Sequence, residues 1–275
     1  MAIVATTSEP QRSAAPPFRY LMRRTAHFVI PLLLLLLWQL LTAFGNVTNF
    51  MLPPPMDVAR RIASDVTSGE FFINAAITLY RTFAGFALAV AGGIALGLLM
   101  HRNRLAHWFF DPIVSVGFPM PKIAFLPIFI LWFGLYDGSK ITIIAVNAIF
   151  PIITATLAGL QGVERELVWS ARSLGASERR AAWEIVIPAA LPQVLTGIQV
   201  ALPTALIVAI IAEMMMGGYG LGGAMMESSR LLDSDGVFAG ILEIAFVGHC
   251  IITGMALLRR RLLAWHPETQ EPTTV

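Results

Sequence analysis

Six apolar runs, at residues 28–44, 83–100, 113–135, 141–160, 194–216 and 237–258, constrain this chain more than anything else in it. Each is 17 to 23 residues long and carries at most two acidic or basic side chains. A helix needs about 20 apolar residues to cross a hydrocarbon layer ~30 Å thick. A water-soluble fold has no place for such runs: 56% of residues are hydrophobic and 13% charged, against roughly a quarter charged in ordinary soluble domains. A membrane β-barrel is excluded as well, because its strands alternate every second residue and these runs are continuous. The sequence predicts an all-α integral membrane protein with about six transmembrane helices, resident in the lipid bilayer.

Lys and Arg in the short loops set the orientation. With the N-terminus in the cytoplasm, 13 of the 19 basic residues fall on the inner side, among them Arg23, Arg24, Arg102, Arg104 and Arg259 to Arg261. Four fall outside, at Arg60, Arg61, Lys140 and Arg230, and Arg81 and Lys122 lie at or in spans. Six spans then leave both termini in the cytoplasm. Residues 1–24 read as a disordered cytoplasmic tail, residues 25–262 as one transmembrane domain and residues 263–275 as a second tail. The first run is longer than a cleavable signal core and follows a long polar tail, so it reads as a retained anchor. The single cysteine, Cys250, allows no internal disulfide or Cys-based metal site and reads as a small buried hydrophobe.

One of the longest charged stretches, the polar island of residues 163–192, lies between two spans and falls on the cytoplasmic side. Apolar residues at 167, 168, 171 and 174 have helical spacing. Gly175 follows where a helix would close in a left-handed turn. Ser177 then caps a second helix with Glu178 in its first turn, and Pro188 and Pro192 are expected to end it. The outer segment after the first span carries Leu52-Pro53-Pro54-Pro55 and predicts a short surface helix with proline at its start. In the second span Gly85, Ala89, Gly93 and Gly97 recur every four residues. Small residues at that spacing admit a close neighbour, either within one subunit or between two.

Gly175, nine residues, then Ile185-Val186-Ile187-Pro188 resembles the cytoplasmic signature of permease subunits of binding-protein-dependent ABC importers. That signature runs Glu-Ala-Ala, three residues, Gly, nine residues, Ile-x-Leu-Pro. Ala171, Gly175, Ile185 and Pro188 match it, Ile187 stands for Leu, and Trp169 and Ser170 depart from the Glu-Ala start, with Glu166 one helical turn earlier. Ala171-Arg172-Ser173-Leu174-Gly175-Ala176-Ser177, Pro188-Ala189-Ala190-Leu191-Pro192, and Glu213 followed by Gly220-Leu221-Gly222 are similar to the sulfonate, nitrate and taurine branch, over roughly residues 28–260. The resemblance implies a type I importer permease fold in the bacterial inner membrane. It also implies a second permease copy in a homodimer, a cytoplasmic ATP-binding subunit and an extracytoplasmic substrate-binding protein. The coupling element would use Ala171, Arg172, Leu174, Gly175, Ala176, Ser177, Glu178, Ile185 and Pro188. A Gly-x-x-x-x-Gly-Lys-Ser/Thr phosphate loop is absent, so ATP hydrolysis belongs to another polypeptide. No cofactor, metal site, nucleic-acid partner or enzymatic activity is expected.

Ionisable and amide side chains inside spans are costly in lipid and point to a path. Glu213 and Lys122 are the principal candidates, with Asn147 and Gln199 behind them. Glu243 and His249 share a span but lie six apart, about 240° around a helix, so they do not form a relay. Lys122 would suit an anion. Pro119, Pro121 and Pro127 forbid a straight third span, and irregular backbone at membrane depth survives only against protein or a water-lined cavity. The rival reading is an ion-gradient-driven secondary transporter, which would want paired midplane acids or broken helices in two matching halves. No internal repeat is present, and neither a His-Glu-x-x-His motif nor a nucleophile elbow supports an embedded enzyme.

Overall fold

The computed structural model describes residues 17–45 and 48–265, with side chains from residue 29 onward. The remainder of both expected tails lies outside the described residues. Two units emerge, one up to Asp57 and one from Val58 onward. In the first, α1 (Pro17–Phe44) starts inside the segment expected to be a tail. Its described apolar part, Val29–Phe44, rises only about 24 Å at 1.5 Å per residue. Trp38 Nε1 donates to the Pro53 carbonyl at 3.0 Å and ties the end of this unit back onto the helix. Helix α2 (Pro55–Ser68) opens on proline as expected, with Asp57 in its first turn.

The second unit is a bundle of long apolar helices: α3 (Glu70–Arg102), α6 (Asp137–Gln161), α9 (Ile187–Met216) and α11 (Ser234–Leu262). The third expected span is not one helix. It is α4 (Arg104–Gly117) followed by a 3₁₀ turn at Lys122–Phe125 and α5 (Leu126–Phe133), bent by 99°. The break falls at Pro119 and Pro121, where two missing N–H groups cannot carry the ladder through. Four described helices are therefore long and apolar enough to cross a bilayer, and the bent pair would make a fifth.

The small-residue stripe of α3 settles between its two expected roles. A Cβ on Gly85 would sit 2.7 Å from Ile144 Cβ, one on Gly93 2.8 Å from Ile152 Cγ2, and one on Gly97 2.7 Å from Thr156 Cβ. All three neighbours belong to α6, so the stripe is the seam between α3 and α6 inside one subunit. Helix α6 also packs against α9, in one cluster that holds Ile143, Ala148, Ile152, Ala201 and Ala205, all fully buried. Helix α9 is buried along most of its length and α11 along little of it. Cys250 on α11 is accordingly exposed rather than buried.

Three short helical segments complete the unit. Helix α7 (Arg165–Ser173) and the single turn α8 (Glu178–Ala181) form the polar island, and α10 (Leu221–Arg230) joins α9 to α11 at the other end of the bundle. Arg61 anchors α2 there, reaching Asp65 at 3.0 Å and Asp233 at 2.7 Å.

Candidate functional site

The polar island folds as expected up to Ser177. Helix α7 ends at the Leu174 cap, and Gly175 takes φ +88. Gly175 N–H donates to the Arg172 carbonyl and Ala176 N–H to the Ala171 carbonyl, each at 3.0 Å. This is the two-bond closure that a left-handed residue after a helix makes, with Ala171 and Ala176 stacked where the motif places its small apolar contact. Ser177 Oγ then accepts from Arg180 N–H at 3.3 Å, capping α8. Arg172 and Glu178 face each other across the turn at 3.4 Å, both exposed, and such a pair contributes little.

Past α8 the expectation fails. Pro188 and Pro192 do not end the helix. A π turn spans Ala182–Val186, in which Ile187 N–H donates to the Ala182 carbonyl five residues back, and α9 continues through both prolines. Pro188 lies in the first turn of α9, where a missing N–H matters least, and the widened turn keeps its ring off the preceding carbonyl. The result is one helical rod from Glu178 to Met216, 39 residues and about 58 Å long.

The hairpin presents apolar side chains to solvent. Leu174 is 87% exposed, Trp183 72% and Trp169 60%. Glu178 and Pro188 are exposed, and Ile185 is half-buried. The spacing of Gly175 and Pro188 located this element; Trp169 and Trp183 were legible only as departures or as helix filler.

At the opposite end of the bundle the structure buries Glu213 completely. Arg81 Nη1 donates to Glu213 Oε1 at 2.8 Å and to the Tyr219 carbonyl at 2.6 Å, while its Nε meets Asp137 Oδ1 at 2.7 Å. Thr78 Oγ1 donates to Glu213 Oε2 at 2.8 Å, and Gly222 N–H donates to the same oxygen at 3.1 Å. Lys140 Nζ donates to the Gly217 carbonyl at 3.0 Å. The network pins the glycine turn between α9 and α10 onto α3 and α6 and leaves Glu213 with no exposed surface. Arg81 was the missing partner: an arginine eleven residues into an apolar helix calls for a buried acid. Beside this knot a cleft of about 720 Å³ opens between Arg61, Glu70, Tyr219 and Arg230.

The other path candidates separate. Lys122 and Asn147 line one cleft of about 330 Å³, together with Thr204 of α9. Gln199 lies elsewhere: its Oε1 accepts from Arg259 Nη1 at 2.9 Å, and Thr196 Oγ1 accepts from Nη2 at 3.0 Å, joining α9 to the end of α11. Glu243 Oε1 is buried without a hydrogen bond among the described residues, and no bond links it to His249.

The model of the binding-protein-dependent transport system inner membrane component family matches residues 89–264. The chain belongs to that family. This permease is 33% identical to the Bacillus subtilis protein designated the aliphatic sulfonates transport permease SsuC, over 86% of each chain. It is 31% identical to the taurine transport system permease TauC of Escherichia coli, over 86% of this chain and 88% of that one. Its fold is like that of a solved amino acid ABC transporter chain (TM-score 0.58, 18% identity, 73% of this chain and 95% of that one). It is also like the inward-facing MetNI methionine transporter (TM-score 0.51, 20% identity, 66% and 94%). The chain is a membrane permease subunit of an ABC importer and not an enzyme. The relatives lend the ion-gradient alternative no support.

Proposed function

We propose that this permease works as a homodimer. In this reading it imports a small anionic solute of the sulfonate or taurine type, which a substrate-binding protein delivers to the outer face. The α7–α8 hairpin lies in the cytoplasm and seats in a cleft of the ATP-binding subunit. One observation carries the reading: a hairpin that exposes Leu174, Trp169 and Trp183 stands at the foot of a continuous rod through the bundle. Large apolar side chains held out on a structured tip are characteristic of a protein contact, and a rod transmits displacement where a jointed connection would absorb it. ATP-driven closure of the motor subunits would carry Glu178 and, through α9, the Glu213 end of the bundle. The names of the sulfonate and taurine relatives support the solute class. Lys122 and Asn147 line the proposed path, Gln199 braces α9, and Glu213 holds the outer end shut or in register.

The test replaces Gly175 by Arg in the assembled importer. A Cβ at Gly175 meets nothing within 4 Å, so a side chain there costs only its left-handed backbone, about 1–2 kcal/mol, in a loop outside the spans, while a long charged side chain blocks the docking face. Capture of the ATP-binding subunit and ATP-dependent uptake should both be lost. Undiminished uptake rules out docking through this turn.

A further inference from the structure

Lys122 opens the 3₁₀ turn at the break of the bent span and is 8% exposed. Its Nζ donates to the Phe118 carbonyl at 2.7 Å and lies 4.9 Å from the centre of the Phe150 ring. Arg81, at a similar level of burial, is matched by Glu213 and Asp137. Lys122 has no carboxylate partner among the described residues. Lys122 lines a cleft together with Asn147, Thr204, Val200 and Ile207.

The depth of this cleft sharpens the point. Asn147 lies ten residues into α6 and fourteen from its end, about 15 and 21 Å along the axis. A cation held there, out of reach of lipid headgroups, is stable only beside water, dipoles or an anion. The donors outnumber the acceptors. The ammonium brings three N–H groups, one of them used on the Phe118 carbonyl with the Phe150 ring alongside, and the Asn147 amide brings two that bond to no described residue, against two acceptor atoms, Asn147 Oδ1 and Thr204 Oγ1. Thr204 spends its hydroxyl proton on the Ala201 carbonyl at 2.8 Å. The remaining wall is apolar. One positive charge, spare donors and an apolar flank suit a solute with a single-charge oxyanion head and a short hydrocarbon part. They repel a cation and leave a dianion half-neutralised.

We infer that Lys122 and Asn147 form a transit site for small organic monoanions, with the oxyanion against the two donor groups and the carbon skeleton along Val200 and Ile207. The inference rests on the permease reading for the direction of passage, while binding itself needs neither ATP nor a partner subunit.

The full chain in nanodiscs of zwitterionic lipid is probed by saturation-transfer NMR with methanesulfonate, and with tetramethylammonium as the cationic control. Methanesulfonate should receive saturation from the unaltered protein and tetramethylammonium should not. Lys122→Gln should cut the signal at least fivefold, Lys122→Arg should keep most of it, and Asn147→Ala should weaken it while leaving the charge in place. Equal signals from Lys122→Gln and the unaltered chain overturn the site, as does a comparable signal from tetramethylammonium or none from methanesulfonate. Should Lys122→Gln fail to elute as a folded species, the half-exposed Asn147→Ala decides, and an undiminished signal from it counts against the site. Intact binding with no ATP-driven uptake of the anion in the assembled importer would refute the proposed solute import alone.

Discussion

Glu213 and Arg81 are each tolerable inside the bundle only because the other is present. Breaking a buried pair leaves an uncompensated charge and costs about 3–5 kcal/mol, whereas replacing both partners with apolar groups costs much less. Glu213→Ala should therefore lower the unfolding midpoint in detergent sharply. Arg81→Met combined with Glu213→Leu should recover part of that loss, although Asp137 and the Gly222 N–H lose partners too. A double variant no more stable than the sum of the singles would show that the two residues do not act as a pair. Two glycines with positive φ give a second contrast. Gly175 has open space around a built Cβ, so Gly175→Ala costs only the left-handed backbone, about 1–2 kcal/mol. At Gly220, φ +123, a Cβ would land on the Glu213 carboxylate. Gly220→Ala should destabilise the protein well beyond Gly175→Ala in the same thermal assay, and equal midpoints would mean that the knot yields freely.

At the scale of elements, the apolar runs, the cap at Ser177 and the glycine turn were all legible, because each depends on a few neighbours in the chain. The stripe on α3 was legible as a seam but not as to which neighbour filled it; that required Ile144, Ile152 and Thr156 from a helix some sixty residues away. Glu213 stood out as an acid in an apolar run, yet its meaning depended on Arg81, 132 residues distant. Sequence misled most clearly at Pro188. Proline ordinarily ends a helix, and nothing local announces that a π turn will absorb it. The π turn also sets the angle at which the hairpin meets α9. Pro188→Ala restores an N–H and should let the segment relax toward a regular α-helix, turning Trp183 and the hairpin about the rod axis. Helix content and insertion should be unchanged while ATP-coupled uptake falls. Full coupling in Pro188→Ala would mean that the turn only accommodates the proline.

For the whole molecule, the hairpin and the knot lie at opposite ends of α9, so fixing the side of one fixes the other. The excess of arginine at 165, 172, 179 and 180 together with 259 to 261 favours the proposed placement of the hairpin end in the cytoplasm. In that proposal the α10–α11 connection, with Leu231 and Leu232 each 70% exposed, faces outward. Single cysteines decide this, once exposed Cys250 is replaced by Ser. A maleimide that does not cross membranes should label Leu232→Cys in intact cells and Leu174→Cys only after permeabilisation. The Leu174 side chain, 87% exposed, stands free of the bundle, and its loss leaves the fold unstrained. If the ATP-binding subunit seats on that tip, its addition to inside-out vesicles should also protect Leu174→Cys from the reagent, while labelling of Leu232→Cys from the outer side in cells stays as it was. Labelling of Leu174→Cys in intact cells would reverse the orientation and leave the hairpin out of reach of any cytoplasmic motor. The charge asymmetry and the proposed docking thus stand or fall on the same pair of residues.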